Sequence, residues 1–457
     1  MKHNSSSSEL NNSSRIKQGP NSNALQNQPS EITCAFVYLS PTVCTASIII
    51  PAAIIDVLYH EAALSQQQHA HTRGFSRGQV PIEYIKQHYQ SHLVLHLQEL
   101  LFKYCVINAL YQEIRTNKIV VAGDPRLIDI TLLPGQDAKF KFELTLFPEV
   151  PIYEWKHFPF KAPKRKRYKD LDKQVELFLK EEKEFADQQK DDSIIPGDWV
   201  DFDITLLDHE GKPIASFLTQ NFWMRIGREE AEGPLRELFL GKKAGDFFHT
   251  KTKDLQDYFS AQLDSDYIFG IEIKDVTHNA YFCFEQFKKH FRLKTNKAMH
   301  QKLIEVFSYR NDMSQRRSTA EEILKLMLAK HPFSVPPELL LREQNNVLEV
   351  IQNNPDYNVY RTQKDFKFRV RQLAERQAKE AIFIDQFAYH ENIPVSHADL
   401  KAYFNFLNRH RSKEFIYFRL PSFKLQGQHL PMPAEEIKRV CLREKALNHM
   451  IFHLTRR

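Results

Sequence analysis

The chain has 457 residues, 42% hydrophobic and 26% charged, an ordinary globular composition that excludes collagenous and wholly disordered classes and, at roughly 150 residues per domain, predicts about three domains. With 63 basic against 57 acidic side chains the net charge is +6, which permits a polyanionic partner without demanding one. Only 13 glycines are present, and neither G-x-G-x-x-G nor G-x-x-x-x-G-K-[ST] occurs, which argues against nucleotide-driven chemistry.

Residues 1–33 are rich in Ser, Asn and Gln and read as a disordered tail, with no apolar core of a secretory signal. From Ala35 the pattern alternates and then runs apolar through Ile48-Ile49-Ile50, predicting strands that stop at Pro51, followed by a helix from Ala52 to Leu64. The apolar stretch Cys44 to Leu58 is broken by Pro51 and Asp56 and is too short to span a bilayer, so no membrane is expected. A loop, His69 to Pro81, leads into long helical periodicity from Ile82 through Ile114, and Ala138 to Phe147 reads as a closing strand.

Between Pro148 and Pro163 four prolines predict an extended connector. The basic run Lys164-Arg165-Lys166-Arg167 follows, then an amphipathic helix over 171–186. A β-rich unit begins near Pro196-Gly197-Asp198, with Val200-Asp201-Phe202-Asp203-Ile204 alternating, and ends on Tyr267 to Ile273. Beyond about residue 278 nearly everything reads as helix, and the S-x-x-[DE] pairs Ser318/Glu321 and Ser396/Asp399 predict two helix starts.

Five scattered cysteines without C-x-x-C argue against a disulfide framework and a zinc knuckle and fit a reducing cytoplasm. His88, His92 and His96 fall at i, i+4 and i+8, but no carboxylate or fourth ligand is near, so they are read as a polar helix face and no metal is assigned. The Lys164–Arg167 run lacks the interleaved aromatics of a single-strand binding platform and reads as a solvated linker. No nucleophile motif appears.

The segment Gly74-Phe75-Ser76-Arg77-Gly78-Gln79-Val80-Pro81 resembles the docking loop of the trigger factor family, G-F-R-x-G-x-x-P between two helices. Phe147-Pro148-Glu149-Val150, Gly197-Asp198, Gly241-Lys242-Lys243-Ala244-Gly245 and Val335-Pro336-Pro337-Glu338 fall in family order, so the resemblance spans roughly residues 35–457. It implies an α+β multidomain protein: an N-terminal α/β ribosome-binding domain (34–150), a linker and helical arm belonging to the C-terminal domain (151–192), a small β-rich FK506-binding-like isomerase domain (193–277), and a discontinuous all-helical chaperone domain with arms (278–457).

The resemblance further implies an ATP-independent, cytoplasmic chaperone without cofactor. Its partners are the ribosome near the polypeptide exit and nascent or unfolded polypeptides, with homodimerisation when free left open. Arg73, Gly74, Phe75, Ser76, Arg77, Gly78 and Pro81 fall on the docking loop, where Ser76 replaces the family arginine. Phe202, Ile214, Phe222, Tyr258 and Phe269 fall on the walls of a prolyl pocket. The family's Ile-Pro-Gly-Phe reads Glu232-Gly233-Pro234-Leu235, which puts Leu235 at the floor, and Ala215 stands where related isomerases carry an acid.

Such a pocket needs no acid, base or nucleophile. It lowers the roughly 18 to 20 kcal/mol barrier of X-Pro rotation by binding the twisted amide better than the planar one. Two other classes stay open: a free isomerase or holdase that has lost docking, and a nucleic-acid binder using the basic connector. The layout predicts an exposed Phe75 loop, a 171–186 helix packed on the C-terminal helices, and a β-rich module remote from the first domain.

Overall fold

The computed structural model describes residues 31–456, apart from 148–149, 164–169, 189–191, 215–217, 228–232, 279–281, 311, 353–354, 408, 410–411, 421–423 and 426–427. The expectations for residues 1–30, the Lys164–Arg167 run, Ala215 and Glu232 lie outside the described residues.

Strands β1 (Thr33–Ser40), β2 (Val43–Ile50), β3 (Arg126–Thr131) and β4 (Ala138–Thr145) form an antiparallel sheet in the order β1-β2-β4-β3. Period-2 alternation turns Ala46 and Ile48 of β2 inward with Phe142 and Phe140 of β4, their register partners. Helices α1 (Ala52–His69), α2 (Ile82–His88), α3 (Gln90–Leu101) and α4 (Ile107–Thr116) share this core, through Ile54, Leu58, Leu93, Leu97 and Leu110. The predicted continuous helix over 82–114 is interrupted twice: at Tyr89, where the His88 ring bonds back to the Tyr84 carbonyl, and by a π-turn at Phe102–Val106. Gln90–Thr116 is, among the described residues, the one helical run long and apolar enough to cross a membrane. Its apolar side chains are used on two flanks, one facing this sheet and the other facing a second sheet.

That second sheet has the order β13-β6-β5-β8-β7, built from β5 (Trp199–Leu207), β6 (Gln220–Arg225), β7 (Phe247–Thr250) and β8 (Ile268–Thr277), with α6 (Gly233–Glu237) and α7 (Lys253–Phe259) beside it. Two short antiparallel pairs, β9 (Tyr309–Arg310) with β10 (Met313–Ser314) and β11 (Lys424–Leu425) with β12 (Gln428–His429), stand apart from it, and its fifth strand, β13 (Met432–Pro433), arrives from near the C-terminus. Val200, Phe202, Ile204, Leu206, Phe222, Met224, Phe269, Ile271 and Ile273 belong to one apolar cluster that runs on into the first sheet's core.

The expectation of a remote module is therefore wrong. Tyr104, inside the π-turn, is fully buried, and its hydroxyl lies within hydrogen-bond reach of the carbonyls of Ile204 and Leu218. Asn108 donates to Gln220, Lys103 to the Tyr258 carbonyl, Ser260 to Glu99, and His96 shares a hydrogen bond with the Tyr267 hydroxyl. On the other face Trp199 and Trp223 stack on Phe404 at 4.3 and 4.6 Å, while Asp201 pairs with His397 and Asp275 with Lys401. The unit is wedged between two helical layers because both faces of its sheet carry large apolar side chains, which an isolated module would leave wet.

The remaining helices are α5 (Leu171–Gln188), α8 (Phe284–His290), α9 (Asn296–Phe307), α10 (Gln315–Lys330), α11 (Pro337–Gln352), α12 (Tyr357–Tyr360), α13 (Phe366–His390), α14 (His397–Phe404), α15 (Ser412–Phe415) and α16 (Ala434–Leu454). Helix α5 packs on the C-terminal layer: Phe178 meets Phe282 and Phe307 at 5.2 and 5.3 Å, and His300 bonds Asp172. Ser396/Asp399 forms the predicted capping box. Ser318 does not start a helix, because Ser314 already caps α10 by accepting from the Arg317 amide and leaves Ser318 in the second turn.

At the junction of α16 with the first domain, burial first and the charge of Asp124 next push the Glu436 carboxyl up to about 7. A raised carboxyl is a stability cost that grows as pH rises from the unfolded value near 4.5 and is complete above about 7, since across that window the folded state holds a proton the unfolded chain has released. Glu436→Gln is expected to be more stable than wild type by about 2 kcal/mol at pH 8 and equal at pH 4, measured by denaturant unfolding. A difference independent of pH would show that the fold does not raise the Glu436 carboxyl.

Candidate functional site

The loop between α1 and α2 turns on two glycines in the left-handed region, Gly74 at φ +93° and Gly78 at +81°. A side chain at either position would be strained. Between them Phe75 is 43% exposed, and Arg73, Ser76 and Arg77 are exposed beside it. The Phe75 ring leans on Tyr84 at 5.8 Å, and Arg77 Nε donates to the Gln68 carbonyl at 3.2 Å. The Gln67 side chain holds the Val80 carbonyl, and Pro81 precedes the first turn of α2. The loop thus presents an aromatic ring and two guanidinium groups on a fixed tip.

In the β-unit, Phe202 on β5 and Phe222 on β6 are direct register partners with rings 6.3 Å apart. Phe269 on β8 reaches them through Phe259, whose ring lies 5.6 Å from Phe269 and 5.9 Å from Phe222. Phe239 sits 4.8 Å from Phe202. Sequence reasoning missed Phe239 and Phe259, although each lies close in sequence to a chosen residue: Phe239 one turn beyond Leu235, and Phe259 adjacent to Tyr258. Phe202, Phe222, Leu235 and Phe269 are buried, whereas Ile214 and Tyr258 lie partly buried at the margin of the same cluster. The Tyr104 ring meets Phe259 edge-on at 5.5 Å, so a residue of the first domain closes one side of the group. Burial pushes the Tyr258 hydroxyl above its usual range, leaving it a hydrogen-bond donor.

The three helical histidines do not converge. His88 stacks on Tyr84 at 3.7 Å, and the His92 ring lies 6.5 Å from that of Tyr89. His96 faces Tyr267, with burial pushing its imidazole down to about 4. Among the described residues no three His, Cys, Asp or Glu side chains gather as a metal site.

Two family models for the bacterial trigger factor protein match this chain, one over residues 37–180 and one, for the C-terminus, over 295–414. The chain belongs to the trigger factor family. It is a chaperone of that family, α+β in fold, with an N-terminal α/β region and a helical C-terminal region. The two matched segments lie on either side of the β-unit. The trigger factor of Geotalea daltonii is 23% identical over 364 residues, covering 77% of this chain and 82% of that protein. That of Chlorobaculum tepidum is 22% identical over 370 residues, 78% and 82% of the two chains. A solved structure of the trigger factor chaperone aligns over 92% of this chain and all of its own at 16% identity, with a TM-score of 0.35.

Proposed function

We propose that this trigger factor relative is an ATP-independent, cytoplasmic chaperone that docks beside the ribosomal polypeptide exit through Phe75 and Arg77. There its helical layer, residues 278–457 with the 151–192 arm, shields nascent and unfolded chains. The observation that carries the reading is the Phe75 tip: an exposed ring flanked by Arg73 and Arg77 needs a partner that is both apolar and anionic, which a surface of ribosomal protein and RNA supplies. Exposed Leu341, Val350, Val359 and Phe368 on the α11–α13 hairpin support a holding role. Dispersed apolar patches of this kind bind many sequences, because no single pocket dictates the choice. Cosedimentation of the full chain with ribosomes tests the docking, and binding indifferent to Phe75 and Arg77 overturns it.

The second part of the reading gives the 193–277 unit a weak peptidyl-prolyl isomerase activity on Phe202, Ile214, Phe222, Leu235, Tyr258 and Phe269. Leu235 in place of an aromatic floor removes ring contacts of on the order of 0.5 to 1.5 kcal/mol, up to about tenfold in rate. Phe222 is a core residue, so its truncation disturbs stability as well as any catalysis; Tyr258, at the margin, is the cleaner probe. Tyr258→Ala is expected to lose acceleration of a proline-limited refolding reaction while still suppressing aggregation of an unfolded client. Full acceleration in that variant would show the aromatic cluster to be structural only.

A further inference from the structure

We propose that the prolyl site of the β-unit is held shut by the chain's own Leu430-Pro431-Met432-Pro433 segment, which a client proline must displace; the inference rests on the isomerase reading above. Four contacts around the site carry it. The Tyr258 hydroxyl donates to the Pro431 carbonyl at 2.7 Å. Met432 and Pro433 pair with Trp223 and Phe222 along β6. Leu430 packs against the cluster that contains Phe202, Phe222, Leu235 and Phe269. Just upstream, the Gln428 carboxamide lies so close against Gly233 that a Cβ there would collide with its Oε1.

The segment, with Gln428 just before it, therefore touches β6, α6 and α7, the elements that carry Phe222, Leu235 and Tyr258. With Tyr104 fixed on another side of the cluster, it covers the margin at which Tyr258 lies.

Its chemistry is that of a substrate: an extended X-Pro-X-Pro stretch with its prolines buried. Its hold is also thin. A two-residue edge strand whose second member lacks an N–H has little ladder to lose, so it can open without unfolding the sheet. A client peptide containing proline would add to the same edge of β6 by the same main-chain pairing. Turnover then scales with the fraction of molecules in which the segment has left.

The test uses the full chain carrying Leu430→Ser/Pro431→Gly, with two readouts: amide hydrogen exchange of Phe222 to Met224, and isomerisation of a proline tetrapeptide. Faster exchange together with at least a threefold higher rate is the expected result. Faster exchange with an unchanged rate overturns the latch and leaves the isomerase reading standing. Opened variant and wild type both without catalysis overturns the isomerase reading, and the latch with it. If exchange does not change in that variant, the hexapeptide Gln-His-Leu-Pro-Met-Pro added to wild type decides: it is expected to inhibit turnover by competing for the site, and no inhibition at millimolar peptide overturns the latch.

Discussion

Phe75→Ala/Arg77→Ala is expected to weaken ribosome binding at least tenfold while leaving the midpoint of thermal unfolding unchanged. The loss has two sources. Truncating an aromatic anchor at the centre of an interface costs about 2 kcal/mol or more, and removing one phosphate-facing cation reduces both the affinity and its salt dependence. Stability is spared because Phe75 and Arg77 are exposed and their contacts, with Tyr84 and the Gln68 carbonyl, lie outside the core. Repeating the cosedimentation at two salt concentrations separates the terms: Arg77→Ala alone should flatten the salt slope, and Phe75→Ala alone should lower binding equally at both. Equal pelleting of wild type and double variant would move docking off this loop, and absence of the wild type from the pellet favours a free chaperone that never docks.

The largest stability effect is expected at Glu444. Its carboxylate is fully buried in α16, pairs with Arg316 Nη2 at 2.7 Å, and accepts from the Tyr417 and Phe418 amides at 2.9 and 3.0 Å. Arg316, 1% exposed, also donates to Asn448 and the Glu414 carbonyl. Burial alone would raise the Glu444 carboxyl, but Arg316, His290 and the backbone amide of Phe418 outweigh it and hold it below its usual range. Glu444→Ala strands a buried guanidinium and two amide donors at once, a loss of about 3 to 5 kcal/mol, which is a large part of a domain's stability. Arg316→Met/Glu444→Leu should recover part of it, since the charge is gone but the amides remain unpaired. Denaturant unfolding measures both, and a loss below about 1 kcal/mol for Glu444→Ala would show that water enters and solvates the site.

Local signals read well where one face of an element is dry. The alternation of Val200 to Ile204, Pro51 before α1, the Ser396/Asp399 box and the two glycines around Phe75 each specify their own local geometry. What stayed hidden was set by distant partners. Helix 90–116 is apolar over more of its surface than one sheet requires, and only the second sheet explains why. Ser318 matched a capping pattern, yet Ser314 four residues earlier lies where the chain leaves an extended pair and takes the role. Strand β13 is two residues long and ends in proline, so no periodicity can announce it; its place follows from the unpaired edge of β6. The candidate prolyl residues were legible as aromatic strand positions, whereas their closure by Tyr104 and Pro431 belongs to elements roughly 100 to 200 residues away, which no local pattern encodes.

The late arrival of β13 also bears on how the chaperone itself is made. At about 5 to 20 residues per second, the stretch from the end of β8 to Pro433 takes on the order of 10 to 30 s to synthesise. Throughout that time the β6 edge stays uncovered on the nascent chain, and the indole of Trp223 stays bare until Phe404 is made, since Met432 pairs with Trp223 and Phe404 packs on its ring. During its own birth each copy displays an open strand edge and a bare aromatic surface, the kind of surface that the holding role proposed for a finished copy would shelter.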